Sequence, residues 1–377
     1  MLTGRHIRIG TIFGIPLELD FSWFLIVGLL SWTLAVGYYP AGFPGWTPVT
    51  YWAAGAITSL LLFASVLVHE LGHSLVARHY GVPVKRITLF IFGGVSEMVR
   101  DPDRGSEEFW IALVGPLTSL AVAVVFWALR FAVAPVEFVY AIVSYLALIN
   151  LVLAIFNLIP GFPLDGGNVL RAVIWQRTGD PRRATIVAAN IGRAFAYLLI
   201  FAGIWLVAGA DLYDGLWVMF IGWFLESAAV AQIQQLHVKE ILQRHRVAEA
   251  MERNYAFLSA DTTLQELADW HILGTTERTF VVRDGEQVVG LTSRRRFDRV
   301  PRGRWPSTTV RDVMDAIGEA AEVSTETDLW TAVERLQETD ADRLVVVDDT
   351  GAVVGTLSSD DVAAYLRALG PQLATTR

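Results

Sequence analysis

Two histidines four residues apart, with a glutamate after the first, are the residues of this 377-residue chain best suited to chemistry: His69-Glu70-Leu71-Gly72-His73. On a helix a spacing of four turns a side chain by only about 40°, so both imidazoles face one point and can hold one zinc ion. Glu70, one step round, is placed to take a proton from water held there. The stretch lies inside a long apolar run, where two histidines and an acid are costly without partners and mark function by default. The absence of cysteine excludes disulfides, thiol catalysis, iron–sulfur clusters and every Cys-based zinc site, so any metal is held by His, Asp or Glu. No G-x-S-x-G elbow is present to suggest serine chemistry.

A catalytic zinc ion needs a third protein ligand and an open fourth position. His79, six residues past His73, stands about 240° round the helix and is excluded. Glu18, Asp20, Asp165 and Glu226 remain. Depth and backbone favour Asp165 among these. It follows the same end of its apolar run that the histidines approach in theirs. It also sits in Asn157-Leu-Ile-Pro160-Gly161-Phe-Pro163-Leu164-Asp165-Gly166-Gly167, where prolines and glycines break the helix. Broken backbone at membrane depth is tolerated where it is buried in protein or lines a wet cavity.

The elements that must position these residues are transmembrane helices. The chain is 53% hydrophobic and 18% charged, whereas roughly 25% charged is usual in a soluble protein. Six apolar runs reach the roughly 20 residues that span a bilayer: near Leu17–Tyr39, Tyr51–Val76, Trp110–Val133, Phe138–Ile159, Ala188–Ala208 and Leu212–Ile233. The first is too long for a signal-peptide core and reads as a retained helix. Lys and Arg collect before run one, between two and three, between four and five, and after six. The other loops are nearly free of them, which predicts a cell-membrane protein with both termini cytoplasmic. Between runs two and three, Val84 to Phe92 alternates like a strand and Gly93-Gly94 turns into Val95–Val99. A hairpin beside the metal can accept an extended substrate by edge pairing, making Gly93 and Gly94 candidate substrate-binding residues. Gly115-Pro116-x-x-Ser119 reads as a close helix-packing motif.

Charge divides the chain. Residues 1–236 hold 13 Lys/Arg and 14 Asp/Glu, residues 237–377 hold 17 and 24, so the acidity lies in the tail and argues against a nucleic-acid partner. The tail repeats itself. Val247-Ala-Glu-Ala-Met251 recurs as Val310-Arg-Asp-Val-Met314, and Val281–Gly290 as Val346–Gly355. Each copy reads helix, two short strands about an Asp/Gly turn, and a further helix (Leu264–Trp270; Leu329–Gln337). This resembles a tandem pair of CBS domains, at 247–305 and 308–369 after a linker at 237–246. In the second copy Gly355-Thr-Leu-Ser358-Ser-Asp-Asp361 fits the pattern whose hydroxyl and carboxylate hold a nucleotide ribose. The resemblance therefore implies Ser358 and Asp361 as contacts for ATP, ADP or AMP. The first copy has Arg296 where the aspartate belongs, and Arg294–Arg296 reads as a solvated basic loop.

His69-Glu70-Leu71-Gly72-His73 in one span and Asn157-x-x-Pro160-x-x-Pro163-Leu164-Asp165-Gly166 after another resemble the site-2 protease family of intramembrane zinc metalloproteases, in the subgroup carrying a CBS pair. That resemblance implies His69, His73 and Asp165 as ligands of one zinc ion per chain, Glu70 as general base, and Asn157 as holder of the substrate carbonyl. The paired glycines Gly93-Gly94 and the Gly115-Pro116-x-x-Ser119 run are similar to the family as well. The expected protein is thus a polytopic α-helical membrane protein of six spans with a cytoplasmic α/β CBS pair. Its transmembrane metalloprotease domain, 1–236, hydrolyses a peptide bond in or near a membrane segment of another protein, as in regulated intramembrane proteolysis. The CBS pair modulates it and is compatible with a homodimer. The rival reading, a CBS-regulated ion transporter or channel, has no need of a glutamate between zinc-spaced histidines.

Overall fold

The computed structural model describes residues 6–209, 211–269, 279–285, 287–316, 322–339 and 342–373. The chain divides into two units, Met1–Leu236 and His237–Arg377. The first opens with a hairpin of β1 (Ile7–Ile12) and β2 (Ile15–Leu19), which turns through Phe13 and Gly14. Ile15, Leu17 and Leu19 are buried and alternate with half-exposed Pro16 and Glu18. Leu17–Leu19 is therefore strand and not the start of the first membrane helix, because a period of two buries its apolar side chains on one sheet face. The helix begins where the Asp20 carboxylate caps it, accepting from Ser22 N at 2.9 Å.

That first span is α1 (Phe21–Thr33), a π-helical turn at Leu34–Tyr38, and α2 (Tyr39–Gly42). The second is α3 (Pro48–His79), started by Pro48 at its first position and by the Thr47 side chain accepting from Thr50 N at 3.3 Å. After it come β3 (Val84–Phe90) and β4 (Gly93–Met98), then α4 (Gly105–Val133) and α5 (Glu137–Asn157). A short helix, α6 (Asp165–Thr178), precedes α7 (Pro181–Ala208) and α8 (Leu212–Arg244). All six expected spans are present as helices long and apolar enough to cross a membrane. The strands form one sheet in the order β1-β2-β3-β4, with β2 and β3 parallel and the other pairs antiparallel, which leaves β4 at an edge. Ile15, Leu17, Leu19, Ile87 and Leu89 pack that sheet onto Leu67 and Leu71 of α3. Phe92, in the β3–β4 turn, stacks on Phe224 of α8 with ring centroids 4.1 Å apart.

In the second unit the expected linker 237–246 is helical through Arg244. There follow α9 (Val247–Ala250), β5 (Ala256–Ser259), α10 (Leu264–Asp269), β6 (Thr279–Asp284), β7 (Gln287–Ser293) and α11 (Arg294–Phe297). The second copy comprises α12 (Val310–Val313), β8 (Asp315–Ala316), β9 (Glu322–Ser324), α13 (Leu329–Glu338), β10 (Arg343–Val347), β11 (Val353–Ser358) and α14 (Ser359–Leu373). Trp270, expected to end a helix, lies outside the described residues, as do the side chains of Arg294 and Arg295. The basic run expected as a loop is the helical turn α11. In both copies a parallel strand pair is extended by an antiparallel one, β5-β6-β7 and β9-β10-β11.

The hydrophobic cores do not follow the repeat boundaries. Val247, Ala250 and Met251 pack with Leu329, Leu344 and Leu357 of the second copy. Val310, Val313 and Met314 pack with Leu258, Leu264 and Phe280 of the first. Each copy's leading helix thus completes the other's core.

Candidate active site

On α3, His69 and His73 are buried, 4% and 7% exposed, one turn apart on a single face. Their outer nitrogens are both held by α4. His69 Nδ1 meets Ser119 Oγ at 2.8 Å, and His73 Nδ1 donates to the Ile111 carbonyl at 2.6 Å. A carbonyl only accepts, so the Nδ1 of neutral His73 carries the proton and its Nε2 presents a lone pair. The two Nε2 atoms stand 3.1 Å apart, and Asp165 Oδ2 lies 3.1 Å from that of His69 and 3.4 Å from that of His73. These three atoms form a group able to hold a metal ion. Acceptors gathered so closely repel unless a proton or a cation lies between them, so the donor set fits zinc: two imidazoles, one carboxylate and hydrogen-bonded outer nitrogens.

Asp165 reaches this point because it is the first residue of α6. A carboxylate in the first turn is also favoured by the helix dipole. The preceding loop folds back tightly on the helix: a Cβ on Gly167 would lie 2.5 Å from Phe162 N. The buried Glu108 on α4 pairs with Arg171 Nε of α6 at 2.5 Å, which ties the helix bearing Asp165 to the one that orients the histidines.

The other acids considered as ligands have different work. Asp20 caps α1, Glu18 faces Arg86 at 3.5 Å, and Glu226 faces Arg193 at 3.5 Å. Asn157, half-buried, ends α5, and its side chain does not join the cluster by a hydrogen bond. Gly93 and Gly94 open β4, where Gly94 lies against the Glu70 side chain. In the tail, Ser358 and Asp361 do meet: Asp361 Oδ2 accepts from Ser358 N at 2.9 Å and Oγ at 2.7 Å, and from Arg343 at 3.0 Å. That arrangement caps α14, which begins at Ser359.

Three contributors escape a reading of the sequence. Ser119 and the Ile111 carbonyl orient the imidazoles, and Ser96 holds Glu70. Gly115-Pro116-x-x-Ser119 does allow close packing, since a Cβ on Gly115 would strike the ring of His73. What packs there is the histidine pair itself. The only signal in the sequence was a glycine and a hydroxyl four residues apart on the neighbouring span.

The profile of Peptidase family M50 matches residues 57–144 and 132–199, and that of the CBS domain matches residues 310–368. A protein of Synechocystis sp. named as a zinc metalloprotease is 36% identical over 368 residues, covering 96% of either chain. One from Mycobacterium tuberculosis, similarly named, is 34% identical over 364 residues, covering 96% of this chain and 92% of its own. The solved site-2 protease of Methanocaldococcus jannaschii is 31% identical, with a TM-score of 0.42 over 60% of this chain and 95% of that one. With identity sustained through both units and a zinc-competent cluster formed by α3 and the start of α6, the chain belongs to the M50, or site-2 protease, family of zinc metalloproteases and carries a C-terminal CBS domain.

Proposed function

We propose that this multi-pass membrane metalloprotease hydrolyses a peptide bond in or beside a membrane-spanning segment of another protein, as a step of regulated intramembrane proteolysis. The observation that carries the reading is the convergence of His69 and His73, on a helix long and apolar enough to cross the membrane, with Asp165 at the start of the short helix α6, and with Glu70 beside them. In this reading the three hold zinc, which when bound supplies a Lewis acid to polarise a carbonyl and acidify water. Glu70 takes the proton from water and delivers it to the departing amine nitrogen, so no covalent intermediate on the enzyme is needed. Asn157 holds the substrate carbonyl. The free edge of β4, from Gly93 and Gly94 onward, pairs with the substrate after its scissile segment has left its helical hydrogen bonds.

The Lys and Arg of alternate loops support a cell-membrane protein with both termini in the cytoplasm. The Ser358–Asp361 pair supports adenine-nucleotide binding in the second CBS copy as the means of regulation.

The test is co-expression of wild type and Glu70→Gln with candidate single-span membrane proteins. Glu70→Gln is expected to accumulate the uncut partner while zinc content stays near that of wild type, because Glu70 moves protons and is not a ligand. Activity within tenfold of wild type in that variant would sink the mechanism.

A further inference from the structure

The carboxylate of Glu70, a residue only 9% exposed, is held by the neighbouring sheet. Its Oε2 accepts from Ser96 Oγ at 2.7 Å. The same hydroxyl lies 3.2 Å from the Glu70 carbonyl oxygen, but a serine has one proton, and the shorter contact, to an anionic oxygen, is the stronger claim on it. Ser74, fully buried one turn along α3, donates its own proton to Ser96 Oγ at 3.1 Å, which leaves the Ser96 proton to point at Glu70. Gly94, two residues before Ser96 and so on the same face of β4, lies directly under the glutamate. A Cβ there would stand 2.5 Å from Glu70 Cγ and 3.2 Å from Cδ. The register that sets both contacts is Gly94 opposite Leu89 and Ser96 opposite Ile87, and both partners are buried in the sheet core.

We propose that Ser96 is a positioning residue for the catalytic carboxylate, and that Gly94 provides the side-chain-free floor that lets Glu70 adopt that orientation. Ser96 occupies Oε2, and Oε1, with no hydrogen-bond partner among the described residues, is left to exchange the proton. The strand whose outer edge takes the substrate is then also the strand whose inner face aims the base. The inference rests on Glu70 moving the proton, and the experiment separates the two.

The full-length chain in detergent is assayed with unfolded β-casein as probe, measuring kcat, KM and zinc per chain for wild type, Ser96→Ala, Ser96→Thr, Gly94→Ala and Glu70→Gln. Misaligning a reacting group costs on the order of tenfold to a hundredfold. Ser96→Ala and Gly94→Ala should each lower kcat by about tenfold or more, with KM within twofold and zinc unchanged. Ser96→Thr, which keeps the hydroxyl, should recover to within about threefold of wild type. A Ser96→Ala enzyme within twofold of wild-type kcat beside an inactive Glu70→Gln overturns this inference and leaves the protease reading standing. Loss of zinc in Ser96→Ala, or an effect on KM alone in either alanine variant, overturns it too, by assigning β4 a structural or substrate-contact role. An active Glu70→Gln overturns the reading on which it rests.

Discussion

Asp165 gains its position from two neighbours in space that are 96 and 92 residues away in sequence, His69 and His73. On the proposed assignment, removing one of three metal ligands should weaken zinc far more than the loss of an outer partner, which typically costs about 10 to 100-fold. Asp165→Asn is therefore expected to lose both zinc and proteolysis in a chain that still inserts. Asp20→Asn should keep its zinc, because Asn caps a helix nearly as well as Asp and Asp20 does nothing else for the site. Metal analysis of the purified variants decides. Full zinc in Asp165→Asn with depletion in Asp20→Asn would reverse the assignment. The grouping of His69, His73 and Asp165 was legible in the sequence because two of them lie one helical turn apart and the third sits in a conspicuous break of proline and glycine. Ser96 and the Ile111 carbonyl were not, since a lone serine or a backbone oxygen has no spacing to betray it, and Ser119 showed only as part of a packing motif; all three reach the site only when separate helices and a sheet pack together.

At the scale of elements, the spans were readable because lipid demands long apolar helices with every backbone group satisfied internally. Their ends were less so. Leu17–Leu19 reads as apolar helix but pairs as β2, and the Asn157–Asp165 break ends in a helix of its own, α6, that is too short to span. The loops carry the orientation. Reporter fusions after Gly45, Ala134 and Asp211 should report the outside, and those after Arg104, Arg183 and Arg246 the cytoplasm. That proposed topology would put α6 and the β1–β4 sheet on the cytoplasmic side, since both lie in or next to the Arg-bearing segments. Reporters giving the inverse pattern would refute the topology and, with it, a cytoplasmic approach of substrate to β4.

For the whole molecule, the proposed regulation acts through the tail. In titration calorimetry of the full-length chain in detergent, ATP, ADP or AMP should bind through the second copy. Asp361→Ala should weaken that binding about tenfold or more, the scale of a lost hydrogen bond to a charged group, and more than Arg296→Ala does. Asp361 also caps α14 and pairs with Arg343, so unchanged thermal unfolding of the variant must accompany the loss. No heat from any of the three nucleotides at millimolar concentration would remove the nucleotide from the account. The sequence by itself determined the membrane class, the six spans, the metal-binding residue types and the repeated tail, because each is written in local periodicity or composition. The tertiary structure alone decided which serines and which carbonyl contact His69, His73 and Glu70, and that each tail repeat lends its first helix to the other's core. Both are contacts between segments far apart in sequence. A repeat pattern shows that two segments are alike, but which of two similar apolar faces a helix covers depends on the packing of the whole unit.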